Sequence, residues 1–247
     1  MTEMDKQLGS AAANDSQKAA QINANKAKQE ANKKKSEKLL HKLVQAVDAH
    51  PDDYHTYYDL GALLVELKSY SQAEELMMKA LGLFADKSQD AKDTLTYGLG
   101  NVYYAAGEYQ KAIEQFNQVK DSQLKSDAYL MLSQSYMGNN DHKTALVFAL
   151  TAAQNHQQDP QVNQLIADNL LAVGSFQEAA KYYDKVLKSD PKNGQAEFDR
   201  GIAAVVLGDD ASEYFKAAKQ LDPQYYEKGQ SRLAGIQTLL TKKKGQQ

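Results

Sequence analysis

The sequence predicts an all-α protein, a solenoid of about five helix hairpins with a half-repeat helix before them and a capping helix after them. Three observations carry this. A small residue recurs at Gly61, Gly100, Ser133, Ala167 and Gly201, at intervals of 39, 33, 34 and 34 residues. An alanine follows it in every unit, at Ala73, Ala112, Ala145, Ala179 and Ala211. Four residues after each alanine stand Met77, Phe116, Ala149, Tyr183 and Phe215, and one turn later Ala80, Val119, Ala152, Val186 and Ala218. Self-similarity at such a period marks supersecondary units that bury their faces against their neighbours.

Residues 1–35 show no apolar periodicity and are expected to form a disordered or weakly helical, polar and basic tail. Residues 36–51, SEKLLHKLVQAVDAHP, place Leu39, Leu40, Leu43, Val44 and Val47 on one face. They look like a second helix without its first, closing the N-terminal end of the stack. The five hairpins then run from about 54 to 222. In the second of them, LGNVYYAAGEYQKAIEQF (99–116) keeps helical periodicity although Gly100 sits inside it. A mid-helix glycine costs about 1 kcal/mol relative to Ala. Small side chains at Gly100 and Ala112 repay it if the two helices cross closely there, with Tyr103 and Phe116 filling the space on either side. Gly107, Gly174 and Gly208 fall in turns between helices, where left-handed backbone angles are needed. Pro51, Pro191 and Pro223 follow second helices, and Pro160 opens a first helix.

Two irregularities stand out. The 39-residue interval between the first two units predicts an extended helix or an inserted loop over 81–92. The fifth unit has Arg200 where Leu is expected, a turn two residues shorter, and Phe198, Ile202, Val205 and Val206 on what would be its open face. Either that face is unusually apolar or the final helix folds back over it. In that final helix Tyr226, Leu233, Ile236 and Leu240 form one stripe, with Lys228, Arg232 and Gln237 elsewhere, as a polar-backed cap requires. The solenoid is therefore placed at 36–241 and a basic tail at 242–247.

The pattern Leu-Gly, two residues, Tyr, then Ala, three residues, Phe resembles the tetratricopeptide repeat, in the manner of a small stand-alone bacterial-type protein. The resemblance covers roughly 36–241 and is strongest over the first four units. It implies a right-handed α-solenoid whose first helices line a concave, peptide-binding groove. Carried over residue by residue, the groove takes Tyr58, Asp59 and Glu66 from the first unit and Tyr97, Asn101 and Tyr104 from the second. Leu130, Met131, Gln134 and Met137 come from the third, Gln161, Gln164 and Asp168 from the fourth, and Phe198 and Asp199 from the fifth. Tyr97, Tyr104 and Leu130 also fit a role in packing between adjacent first helices. Some members of the family hold a partner's C-terminal carboxylate with a clamp of Lys, Arg and Asn. Here only Asn101 matches, and no Lys or Arg occupies these positions. An extended peptide with apolar anchors, and with Lys or Arg, suits this lining better.

Charge and composition narrow the function further. Residues 1–36 hold seven Lys and four acids, and Lys242 to Lys244 add three positive charges, leaving 19 basic against 28 acidic residues in the body. An acidic body repels phosphate backbones, so nucleic acid is expected only at the two basic ends. An RNA-associated accessory factor, with its ends on nucleic acid and its groove on an enzyme, is accordingly the alternative. The chain has no cysteine, which excludes disulfides and thiolate metal sites. The five histidines show no metal-ligand spacing, and Asp141-His142 lies in a turn. The GLG at 98–100 lacks the preceding strand and third glycine of a phosphate loop. No catalytic residue, metal or cofactor is expected. The first 35 residues contain no signal-like apolar run, and ALVFAL (145–150) is far shorter than a membrane span, so a cytoplasmic, non-catalytic binding adaptor is expected. The oligomeric state and the identity of the partner are not legible in the chain.

Overall fold

Short polar side chains set where one helix of every hairpin begins. Asp53, Ser88, Asp121, Asp159 and Asn193 each turn an oxygen onto a backbone N–H of the following turn. Each satisfies a donor that a helix start leaves unpaired. The computed structural model describes residues 26, 28, 30–154 and 159–244. Twelve helices follow one another among them: α1 (30–49), α2 (Tyr54–Glu66), α3 (Tyr70–Leu83), α4 (Gln89–Ala105), α5 (Tyr109–Phe116), α6 (Ser122–Gly138), α7 (His142–Ala153), α8 (Pro160–Ala172), α9 (Phe176–Ser189), α10 (Gly194–Leu207), α11 (Ser212–Leu221) and α12 (Pro223–Lys244). The five hairpins pair α2 with α3 through α10 with α11. Most of the expected N-terminal tail lies outside the described residues, and Lys242 to Lys244 continue α12 as helix.

All five hairpins close in one way. A single residue takes left-handed angles, namely Lys68, Gly107, Asn140, Gly174 or Gly208, with φ from 59° to 85°. The next N–H, on Ser69, Glu108, Asp141, Ser175 or Asp209, then reaches back five residues to a carbonyl of the first helix at 2.8–2.9 Å. This bond satisfies a carbonyl that the helix end would strand. Lys68 and Asn140 fill the position without a glycine, which a glycine pattern alone does not reveal.

Neighbour relations fix the curvature. First helices touch one another along the array, α2 with α4, α4 with α6, α6 with α8 and α8 with α10. Among α2 to α12, second helices touch only the helices before and after them in the chain. The first-helix layer is therefore the inner, concave side. Helix α12 packs on α10 and α11, in the place of a sixth first helix, and Gly235 stands 34 residues after Gly201.

Packing corrects three readings of the sequence. At Gly100 the close neighbour is not Ala112 but Phe116, whose Cε1 lies 2.6 Å from where a Cβ would sit. Gly201 meets Phe215 likewise at 2.8 Å, and Gly61 meets Met77. The second correction concerns Phe198, expected on the open groove. It is fully buried, with the rings of Phe215, Tyr225 and Tyr226 at 5.4, 5.8 and 5.8 Å and Gly229 of α12 pressed against it. The final helix does fold back over the fifth unit. Third, Arg232 does not belong to the polar back of α12, because its guanidinium pairs with buried Asp199.

The remaining irregularities have simple geometry. Helix α4 has 17 residues where α2 has 13, so the long interval adds a turn to the start of a helix. Arg200 bonds Asp184 at 2.8 Å and lies 4.7 Å over the ring of Tyr214. On α1, Leu40, Leu43 and Val47 pack on the core, while Leu39 and Val44 remain exposed.

Candidate functional site

The concave layer brings six of the proposed groove residues to one place. Tyr104 at the end of α4, Gln134 and Met137 on α6, and Gln161, Gln164 and Asp168 on α8 line a cleft of about 540 Å³. The α8 residues share a helical face, since they follow one another at three and four positions. Asp190 and Asn193, at the α9–α10 junction, close the far end. Neither of these two is singled out from the sequence, and they cap the end of α9 and the start of α10. Their capping chemistry gave no hint that they also face the cleft.

Hydrogen bonding orders the floor of this cleft. Asp168 Oδ1 accepts from Gln164 Nε2 and from the Tyr183 hydroxyl, both at 2.8 Å. Among the described residues no bond reaches its other oxygen. Burial, and then the charge of nearby Asp199, push the Asp168 carboxyl up to about 7, against the opposing effect of these two donors and Arg232. Tyr104 packs against Tyr109 with ring centroids 5.7 Å apart, and burial raises its phenol. The cleft thus offers an aromatic wall, a thioether, four amides and two carboxyl groups.

The other expected positions divide. Tyr58 and Asn101 line a smaller crevice of about 170 Å³ with Gly61, Met77 and Gly98. The Asn101 amide moderates the upward shift of both the Tyr58 and Tyr97 phenols, while burial with the Asp127 charge lifts the Tyr97 phenol to about 12. Tyr97 also packs on Phe116 at 5.5 Å, so part of its surface serves the core. Asp59 and Glu66 are exposed and line neither cavity. Leu130 and Met131 are half-buried against the core clusters. Asp199 is buried, accepting from the Tyr225 hydroxyl at 2.7 Å and pairing with Arg232.

Groups that could suggest catalysis have structural partners. Asp141 caps α7 through the Thr144 N–H, and His142 Nδ1 lies 3.0 Å from Asn169 Oδ1. Gly98 is inside α4, where a Cβ would touch the Tyr58 ring at 3.0 Å. Among the described residues no group of three or more His, Cys, Asp or Glu could hold a metal ion. No helix there is long and apolar enough to cross a membrane.

Two family models match the chain. One, described as tetratricopeptide repeat, covers residues 54–87, and the other, intraflagellar transport protein 56, covers 86–212. The chain belongs to the tetratricopeptide repeat family. Among curated proteins this tetratricopeptide chain is 25% identical over 154 residues to the clustered mitochondria protein homolog of Debaryomyces hansenii. That match takes in 59% of this chain but spans only 11% of the relative's length. Among solved structures, PilF of Pseudomonas aeruginosa superposes with a TM-score of 0.68 at 19% identity, covering 81% of this chain and 91% of that one. YrrB, described as a tetratricopeptide protein with an unusual peptide-binding site, gives 0.58 at 22% identity, covering 74% and 93%. MamA gives 0.57 at 19% identity, covering 70% and 97%. At these identities the structures establish the fold.

Proposed function

We propose that this chain is a non-catalytic adaptor that holds an extended peptide segment of a partner in the cleft between α4, α6 and α8. The observation that carries the reading is the convergence of Tyr104, Gln134, Met137, Gln161, Gln164 and Asp168 on one open cavity of the concave layer. Amides pair with a peptide backbone, the tyrosine supplies contact area at small entropic cost, and the methionine adapts to different apolar anchors. The absence of Lys and Arg from this lining fits a partner with apolar and basic anchors rather than a C-terminal carboxylate.

A second setting follows from the family-model match over 86–212. On that reading the chain is a subunit of a multi-protein transport assembly, and the cleft holds a segment of a neighbouring subunit.

The test is binding of the full chain to an array of random dodecapeptides, compared with the variant carrying Tyr104→Ala and Gln161→Ala. Loss of an aromatic anchor and an exposed amide should weaken the bound peptides by at least about tenfold. Tyr103→Ala serves as the opposite control. Its side chain is buried and its hydroxyl donates to Glu74 at 2.9 Å, so truncation should cost about 3 kcal/mol of stability. If the double variant stays folded and keeps every peptide, binding lies on another face.

A further inference from the structure

We propose that a second cavity, beside the cleft and beneath α12, is a subsite for a cationic side chain, an arginine or lysine of the bound peptide, held by Asp168. This rests on the peptide-binding reading and specifies the chemistry of one anchor. The cavity holds about 480 Å³, and Met137 and Asp168 line both it and the cleft. A chain lying in the cleft therefore has a side pocket within reach. The walls are amphipathic. Leu171, Phe176, Ile202 and Ile236 suit the methylene stem of a long side chain, while Asp168 and Asp199 stand where its charged end would come.

The pocket already holds one such group. Arg232 enters from α12, places its guanidinium on Asp199 and lies 5.5 Å over the ring of Phe198. That leaves two carboxyl groups and one guanidinium in the lining. Asp199 has Arg232 and the Tyr225 hydroxyl. Asp168 has only the neutral donors Gln164 and Tyr183, both on one oxygen. The other charged or titratable groups around it are His142 on α7, Asp190 at the end of α9, and Tyr225 on α12. None of them is a permanent cation. Burial and then the Asp199 charge raise the Asp168 carboxyl, and Arg232 opposes this by charge alone, its hydrogen bond going to Asp199. A guanidinium or ammonium group supplied by the peptide would provide the missing charge, in a setting where water screens it poorly.

The experiment titrates the full chain with N-acetyl-arginine amide and with N-acetyl-citrulline amide, its neutral isostere, followed by amide chemical shifts in NMR. The arginine compound should give saturable shifts at Asp168, Leu171 and Ile202 above about pH 7, where the carboxylate form prevails. The citrulline compound should bind at least about tenfold more weakly. Asp168→Asn keeps the acceptor for Gln164 and Tyr183, and should reduce arginine binding to the level of citrulline. Because a histidine also gains charge as pH falls, the same titration is repeated with His142→Gln, which should retain the preference for arginine. Equal binding of the two compounds, no saturable shift, or an unchanged affinity in Asp168→Asn would each overturn the subsite. The peptide array separates this outcome from failure of the adaptor reading. If Tyr104→Ala with Gln161→Ala abolishes peptide binding but arginine shows no preference, the groove stands and the subsite falls.

Discussion

A carboxyl group that gives up its proton only near pH 7 opposes folding at higher pH, and Asp168 is such a group. Its ordinary value is 3.8, so between about pH 4 and pH 7 the unfolded chain has already lost a proton that the folded chain retains. Stability from this group is full below the lower value and falls as pH rises towards the upper one. Asp168→Asn removes the charge and preserves an oxygen for Gln164 and Tyr183. The variant should be more stable than the native chain by about 1–2 kcal/mol at alkaline pH, with the difference vanishing near about pH 4. Urea titrations across that range measure it, and a pH-independent difference would contradict the burial argument. Glycine positions give a second comparison. A methyl group at Gly100 meets the buried Phe116 ring at 2.6 Å, and a ring cannot bend away. At Gly61 the obstacle is the terminal methyl of Met77, which can rotate aside. Gly100→Ala should therefore lose about 1–3 kcal/mol in thermal melts. Gly61→Ala should lose less, or gain some of the helix propensity of alanine. Equal effects would mean that the ring is not the constraint.

At the level of elements, the repeat was legible because its small positions and its alanines recur where two helices must approach. The period shows that contact but not which atoms make it, so Phe116 displaced Ala112 as the neighbour of Gly100. Similarly, six of the expected positions fall on one cleft because consecutive first helices share a face. Phe198 does not, because its burial depends on a helix that follows it by a whole hairpin. One signal was available. Leu233, Ala234 and Gly235 stand one period after the fifth unit, which marks α12 as a sixth first helix and puts it on the concave side. Arg232 was misread for a related reason, since an amphipathic projection assigns it to solvent and cannot show buried Asp199 across the interface. The seating of α12 depends on Gly229, because any Cβ there overlaps the Phe198 ring. Gly229→Leu should lift the helix, with backbone amides of α12 exchanging at least about tenfold faster. Protection equal to the native chain would show that α12 does not need this contact.

Across the whole molecule the core is divided, and the division predicts how the chain comes apart. One cluster runs from α1 to α7, a second joins α6 to α10, and a third unites α10, α11 and α12, with Leu171 of α8 at the edge of both the second and the third. In a linear array each unit is stabilised only by its own packing and its neighbours' interfaces, so damage at one end should stay near that end. Ending the chain after Asp222 removes α12. Phe198 and Ile202 then lose their cover, and Asp199 loses both Arg232 and Tyr225. A carboxylate left without its partners in a buried position is costly, and water entering to solvate it would loosen α10 further. The shortened chain should thus lose hydrogen-exchange protection in α10 and α11, while α2 to α5 keep nearly native protection. Thermal unfolding should change from one transition to two, the earlier one belonging to the fifth hairpin. Peptide-resolved exchange by mass spectrometry distinguishes the cases. Uniform loss of protection through α2 would mean that the three clusters form a single cooperative unit. Unchanged protection in α10 would mean that the fifth hairpin is stable alone and that α12 lies over the groove without supporting it.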